Sequence, residues 1–408
     1  MKQDPAERWL TEGAAKHRAG DLAGAEALYR RVLARRPQDA NALNLLGLVA
    51  RARGDAAQAV ALTGQALALK PGSPVFLASH GAALAEAGRP ADALRFLAEA
   101  ARLRPEDAVN LRNLGQALSD TGRAAEALPP LRRAVALSPG EPEPPLALAH
   151  ALRQLGQREE AVRAARAALA AAERLNDAAA GDRPIAAEAR FLLAALGAEA
   201  PPDRAPATYV RDLFDRYAPR FDADLTGTLG YATPEALAAL LERAGVPKDG
   251  RAEALDLGCG TGLSGLVLAP FAARIEGVDL SPRMLEAARA RGLYAALHEA
   301  DLLAFLPARP AAFDILFAAD VLNYLGDLAP AFAGAASALR PGGRLALSVE
   351  AADGEAVALG EGLRYRHPPA HVAALLQAAG FTVEAREDSV LRQERGAPVR
   401  GALFVARR

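Results

Sequence analysis

The sequence predicts two domains. The first is an all-α superhelix of 34-residue helical repeats. The second is an α/β doubly wound sheet of seven strands ending in a C-terminal antiparallel hairpin. Three observations predict this. Pro37, Pro71, Pro105 and Pro139 recur every 34 residues, as do Gly20, Gly54, Gly88, Gly122 and Gly156, and Ala25, Ala59, Ala93, Ala127 and Ala161. Beyond residue 206, strand-like and helix-like segments alternate, the signature of a parallel sheet covered on both faces. The first of those strands runs directly into Gly258-Cys259-Gly260-Thr261-Gly262.

Composition narrows the classes. At ~100–200 residues per domain, 408 residues allow two to four domains. With 51% hydrophobic and 24% charged residues the chain is globular, not disordered. A net charge of −1 argues against a dedicated nucleic-acid binder, whose affinity comes from neutralising phosphates. The single cysteine, Cys259, excludes an internal disulfide and a cysteine-rich metal site. The N-terminus lacks the apolar run of a signal peptide, and no stretch of ~20 residues is apolar and uncharged. The expectation is a cytoplasmic protein without membrane or nucleic-acid contacts.

Within each repeat, a first helix is closed by a glycine, which accepts the left-handed conformation, and a second helix ends at the proline. Gly13, Gly47, Gly81 and Gly115 form a further 34-residue series, continued by Ala149, where helices approach closely. Trp9, Gly13, Ala25, Tyr29 and Pro37 fall where the tetratricopeptide repeat, also of 34 residues, has its signature positions. The chain resembles that family over five units, 6–39, 40–73, 74–107, 108–141 and 142–175. Pro129 and Pro130 lie inside a second helix and predict a kink or a late start. The resemblance implies a concave face. The repeat phase puts Asn41, Asn44, Arg51, Arg112, Gln116, His150 and Arg153 on it, a basic and polar lining that suits a protein or acidic peptide partner.

Residues 176–206 carry Pro, Gly and Asp around one apolar helix, IAAEARFLLAALG. That helix is expected to cap the last repeat, with the boundary at APPDRAP. From residue 207 the strands read 254–257, 274–279, 295–300, 314–319, 344–349, 382–388 and 402–406. Only a turn near Glu394–Pro398 separates the last two, so they form a hairpin at one edge.

The glycine loop leads from strand to helix, where free backbone N–H groups bind anions. Gly260-Thr261-Gly262-Leu263-Ser264-Gly265 also matches a dinucleotide fingerprint, with Asp279 about 20 residues on. The wider pattern decides between the two. DLGCGTG, VDLSPRMLEAAR, ADLLAFL, FDILFAADVLNYL and LRPGGRLALS occur in the order and spacing of class I S-adenosylmethionine-dependent methyltransferases, which residues 207–408 resemble. The resemblance implies a Rossmann-like sheet and S-adenosyl-L-methionine as cofactor. Gly258, Cys259, Gly260, Thr261 and Gly262 would form its loop, and Asp256 would help hold the ammonium end. Asp279 would accept the ribose hydroxyls and Asp301 the adenine amino group, with Leu302 donating a backbone N–H. Leu280 and Met284 would pack on the adenine, with Ala319 and Asp320 beside the amino-acid moiety. Upstream, Tyr209, Phe214, Tyr217 and Phe221 would fold over the cofactor.

The residues after the fourth strand, Asp320-Val321-Leu322-Asn323-Tyr324, lack the Pro-Pro of amine- and amide-methylating enzymes. The candidate bases are Glu350, Tyr324 and His367. His367 and His371 have a metal-ligand spacing, but Pro368 and Pro369 lie between them and no third ligand is evident, so no metal is expected. Methyl transfer to an oxygen or nitrogen is therefore expected, on a small molecule or on a protein recruited by the repeats. The alternative is a non-catalytic repeat scaffold, which the intact glycine loop and Asp279 disfavour.

Overall fold

The computed structural model describes residues 4–176, 184–228, 230–394 and 396–408. The chain divides into two compact units, residues 1–186 and 187–408. Among the described residues no helix is long and apolar enough to cross a membrane.

The first unit contains ten repeat helices in five pairs. These are α1 (Pro5–Arg18), α2 (Leu22–Arg35), α3 (Ala40–Ala52), α4 (Ala56–Leu69), α5 (Pro74–Glu86), α6 (Pro90–Leu103), α7 (Ala108–Asp120), α8 (Ala124–Leu137), α9 (Glu143–Gln154) and α10 (Arg158–Asn176). Aspartates or serines begin most of them. Asp21, Asp39, Asp55, Ser73 and Asp107 each accept the N–H three residues on, satisfying a donor that the helix leaves unpaired. The turn glycines 20, 54, 88, 122 and 156 all have φ between +70° and +81°, which a side chain would strain.

The other glycine series makes each pair close-packed. A Cβ on Gly13 would lie 2.6 Å from the Tyr29 ring, on Gly47 2.7 Å from Thr63, and on Gly81 2.7 Å from Leu97. On Gly115 it would collide with Leu131. The large partner is always sixteen residues on, on the second helix of the same pair. The prolines in α8 do not delay it: α8 starts in phase with α2, α4, α6 and α10 and runs on through both. The carbonyls that lose a donor belong to Ala125 and Glu126, which are exposed and can be satisfied by water.

The second unit holds a seven-stranded sheet built from β1 (Ala252–Leu257), β2 (Ala272–Asp279), β3 (Ala296–Glu299), β4 (Phe313–Ala318), β5 (Leu339–Glu350), β8 (Thr382–Glu394) and β9 (Ala397–Arg407). The short β6 (Ala358–Leu359) and β7 (Tyr365–Arg366) pair as a separate antiparallel hairpin. The order is β3-β2-β1-β4-β5-β9-β8. The first five strands are parallel, and β9 lies antiparallel between β5 and β8. Alternate residues feed two apolar layers. Phe313, Leu316, Leu345, Leu347, Ala402 and Phe404 face helices Ala329–Ala338 and Pro369–Ala378. Ile315, Phe317, Ala346, Leu403 and Val405 face Thr233–Arg243 and Leu263–Leu268.

The apolar helix ahead of the boundary, α11 (Pro184–Ala195), falls mostly in the second unit. Phe191, buried with Leu192 and Leu193, meets the rings of Tyr209 and Tyr365 at centroid distances of 5.6 and 6.1 Å. That aromatic contact binds the helix to α12 (Ala207–Tyr217), ahead of the Pro-rich segment that marks the boundary in the sequence.

Gly115→Ala is expected to destabilise the repeat unit by roughly 1–3 kcal/mol, because Leu131 must leave its position. Gly140→Ala, where a Cβ meets nothing within 4 Å, should cost much less. Thermal denaturation of the two variants compares them.

Candidate active site

At the C-terminal ends of the parallel strands the chain encloses a cavity of about 400 Å³. Its floor is the glycine loop after β1. Gly258, Gly260 and Gly262 have φ of +63°, +53° and +91°. A Cβ on Gly258 would collide with Val321, and one on Gly262 would lie 2.9 Å from Tyr294. Gly260 lines the cavity, and a Cβ added there would meet only the Phe221 ring, at 3.7 Å.

Asp279 ends β2 and lines the cavity. One oxygen accepts the Gly260 N–H at 2.9 Å, the other the Ser281 N–H at 2.8 Å. Burial raises its pKa, against these hydrogen bonds from the backbone. Ser281 then caps helix Pro282–Ala290 through Met284 N–H and donates its hydroxyl to Asp215 at 2.5 Å. Thr261 donates to Asp222 at 2.5 Å, and Arg291 bridges Asp222 and the Thr261 carbonyl. Asp215 and Asp222 thus join the segment 207–225 to both motif loops. Its Phe214, Tyr217 and Phe221 roof the cavity. Phe214 meets Tyr324 at 5.6 Å and Phe221 at 6.2 Å, and Tyr217 meets Phe221 at 5.3 Å.

Of the residues expected at the site, Gly258, Cys259, Gly260, Asp279, Leu280, Asp301, Leu302, Ala319, Asp320, Tyr217 and Tyr324 line this cavity. Thr261 and Gly262 shape the loop from behind. Met284 is fully buried beneath helix Pro282–Ala290, away from the cavity, and Tyr209 is buried against Phe191. Asp301 caps the next helix through Leu303 N–H and pairs with Arg204, so its carboxylate is already shared. Asp256 is buried and accepts the Tyr294 hydroxyl at 2.6 Å, while its Oδ1 has no partner. Burial, with a smaller contribution from the Asp279 charge, pushes its pKa up to about 7, against the Tyr294 hydrogen bond.

Two of the candidate bases are misplaced for that work. His367 is fully buried and outside the cavity lining, with Nε2 donating to the Leu325 carbonyl at 2.9 Å. Burial depresses its pKa to about 4. Glu350 is also outside the lining. It accepts from Arg364 at 2.7 Å and from Arg392, and these two guanidinium groups hold its pKa below the usual carboxylate range despite burial. Tyr324 does face the cavity, with its pKa raised by burial. Sequence reasoning missed Arg204, Tyr231, Arg364, Arg392 and Glu394, all on the cavity wall. They come from segments carrying no motif and converge only through the fold.

Comparison with known proteins bears on the cavity's identity. A family model described as methyltransferase domain matches residues 255–347, which spans the glycine loop, Asp279, Asp301 and Asp320. Tetratricopeptide-repeat models match 10–74, 79–142 and 146–179. The second unit contains a methyltransferase domain, and the first contains tetratricopeptide repeats. The methyltransferase domain is 41% identical over 106 residues to trans-aconitate 2-methyltransferase of Azoarcus sp., covering 26% of this chain and 41% of that protein. It is 36% identical over 110 residues to a ubiquinone biosynthesis O-methyltransferase of Xylella fastidiosa, covering 25% and 43%. The chain therefore spans about two fifths of the length of these curated relatives. Among solved structures, Burkholderia thailandensis 1,6-didemethyltoxoflavin-N1-methyltransferase with S-adenosylhomocysteine matches 51% of this chain and 92% of its own, at 23% identity and a TM-score of 0.40.

Asp256 gives the methyltransferase domain a pH signature. Its folded pKa of about 7 exceeds the unfolded value of ~3.9. Between those values the folded state holds the extra proton, so stability falls as pH rises through this window and levels off above it. Asp256→Asn should flatten the decline between pH 5 and 8 by on the order of 2–4 kcal/mol. Urea denaturation of the cofactor-free protein at both pH values measures it.

Proposed function

We propose that the chain is an S-adenosylmethionine-dependent methyltransferase that methylates an oxygen or nitrogen of a small molecule, or of a partner protein brought by the repeats. One observation carries the reading. The left-handed glycine loop, Asp279 at the β2 tip, Asp301 after β3 and Asp320 after β4 all border one cavity under an aromatic roof. The cradle suits this cofactor: Gly260 is bare where a ligand's backbone contacts fall, and Asp279 keeps free lone pairs for a diol. The bound cofactor supplies an electrophilic methyl group on a sulfonium. Asp279 would hold the ribose end, the glycine loop would border the amino-acid end, and Phe214, Tyr217 and Phe221 would exclude water above. Alignment in such a dry pocket is the main source of acceleration.

Repeat arrays present preformed surfaces to other proteins. The repeat face here is less cationic than its sequence suggests, since Arg51 is paired with Glu86 of the next repeat. Val75 and Val109, at one phase in successive repeats, are 44% and 60% exposed and add apolar contact area. A protein partner with both acidic and apolar groups fits this face.

Asp279→Ala should weaken S-adenosylmethionine binding at least tenfold, from the loss of charge-assisted hydrogen bonds worth ~1.5–3 kcal/mol each. Unchanged affinity by titration calorimetry would remove the assignment. An R51A/R112A/R153A variant, folded by circular dichroism, should lose the proteins that the intact chain retains in a pull-down. An identical bound set would leave this face without a recruiting role.

A further inference from the structure

The wall of the cavity farthest along the chain from the glycine loop is a corner where two arginines meet three carboxylates. Arg364 precedes β7, and Arg392 lies in β8. Both line the cavity. Arg392 donates to Asp320 at 3.1 Å and to Glu350, and lies 3.6 Å from Glu394. Arg364 donates Nε to Glu350 at 2.7 Å and Nη2 to Glu394. Its Nη1 has no hydrogen-bond partner among the described residues. The two arginines therefore hold three carboxylates, which differ in character. Glu350 is 7% exposed in the central strand β5, and Asp320 is 15% exposed with its other oxygen on Ser348. Glu394 is 36% exposed, at the end of β8 where the strand turns back, and it also borders the cavity.

We infer, building on the methyltransferase reading above, that this corner binds the carboxylate of the methyl acceptor, and that Glu394 occupies the place of that carboxylate until the acceptor arrives. Exchange of one carboxylate for another leaves the charge of the corner unchanged, so no guanidinium is stranded in a partly buried site. A planar guanidinium fork suits a two-oxygen partner better than a single hydroxyl or amine.

The chemistry of the remaining wall agrees. No histidine lines the cavity among the described residues, and Glu350 is bound to two arginines. Asp320 has one oxygen on Ser348 and the other on Arg392. Neither Glu350 nor Asp320 is an uncommitted base for an acceptor that must first lose a proton, whereas a carboxylate, with a pKa of ~4, is ionised at neutral pH and needs none. Its oxygen forms the new bond to the methyl carbon as the carbon–sulfur bond breaks. The electron pair of that bond goes to sulfur, the sulfonium becomes a neutral thioether, and no proton moves. The product is a methyl ester. Where the acceptor carries a second carboxylate, one stays in the arginine corner while the other is alkylated.

The test uses the full chain saturated with S-adenosylhomocysteine, with benzoate and succinate as probes and benzamide and succinamide as neutral matches. Binding is followed by ligand-observed magnetic resonance. The acids should bind at millimolar concentration and the amides at least tenfold more weakly. Glu394→Ala should bind the acids at least tenfold more tightly, because the internal competitor is gone. Arg364→Lys, which keeps the charge and loses the fork, should bind them at least tenfold more weakly, with S-adenosylhomocysteine affinity within about threefold of wild type. Acids that bind no better than amides, or a Glu394→Ala variant that gains nothing, would overturn the assignment. So would an Arg364→Lys variant that loses S-adenosylhomocysteine, since the corner would then serve the cofactor's own carboxylate. Failure of S-adenosylhomocysteine to bind the wild-type chain refutes the methyltransferase reading itself and is seen before any acid is added.

Discussion

Gly260 can hold its left-handed backbone open to the cavity because Asp279, one strand away, takes its N–H while taking that of Ser281 with the other oxygen. A carboxylate desolvated to that degree would protonate or leave the interior unless donors compensated it, so the two backbone hydrogen bonds and the strand-end position depend on one another. From this point the arrangement spreads outward. Ser281 starts the next helix and holds Asp215, Thr261 holds Asp222, and both aspartates belong to the segment whose aromatic rings cover the cavity. The floor and the roof are thus parts of one hydrogen-bonded network.

The repeat half obeys a different constraint, which is steric. Gly13, Gly47, Gly81 and Gly115 each yield space to a larger residue on the companion helix. The packing repeats even though the larger residue changes from Tyr29 to Thr63, Leu97 and Leu131. Stability there accumulates pair by pair from neighbours close in sequence. In the sheet half the core is assembled from distant strands, with β1 beside β4 and β5 beside β9. The same chain therefore joins a quasi-one-dimensional array to a unit whose core depends on contacts between distant segments.

The sequence made the architecture legible wherever a rule of spacing applied. The 34-residue period located the turn glycines that have positive φ, and strand–helix alternation located all seven strands of the main sheet. The glycine loop, Asp279 and Asp320 were likewise readable, since motif residues and strand tips coincide in such sheets. What stayed hidden depended on contacts between remote segments. Glu350 reads as a strand-end base until Arg364 and Arg392 arrive from residues with no pattern of their own. His367 reads as reachable until its burial against the Leu325 carbonyl is known. The helix Pro184–Ala195 reads as a repeat cap because its apolar face is evident. Which surface covers that face is decided by Tyr209 and Tyr365, whose rings lie across the fold.

Strand β9 emerges from the ribosome after β8, yet it lies between β5 and β8. Until its residues are synthesised, β5 has a bare edge and β8 has no neighbour in the sheet. An unpaired apolar strand edge invites pairing with other chains. The glycine loop, β1 to β4 and their helices are all complete before that edge can be covered. Arg392 and Glu394, at the β8 end of the last hairpin, take their positions only when β9 slots in. During synthesis, therefore, the glycine-loop side of the cavity is made ahead of its opposite wall. The β5 edge stays open to such pairing until β9 docks.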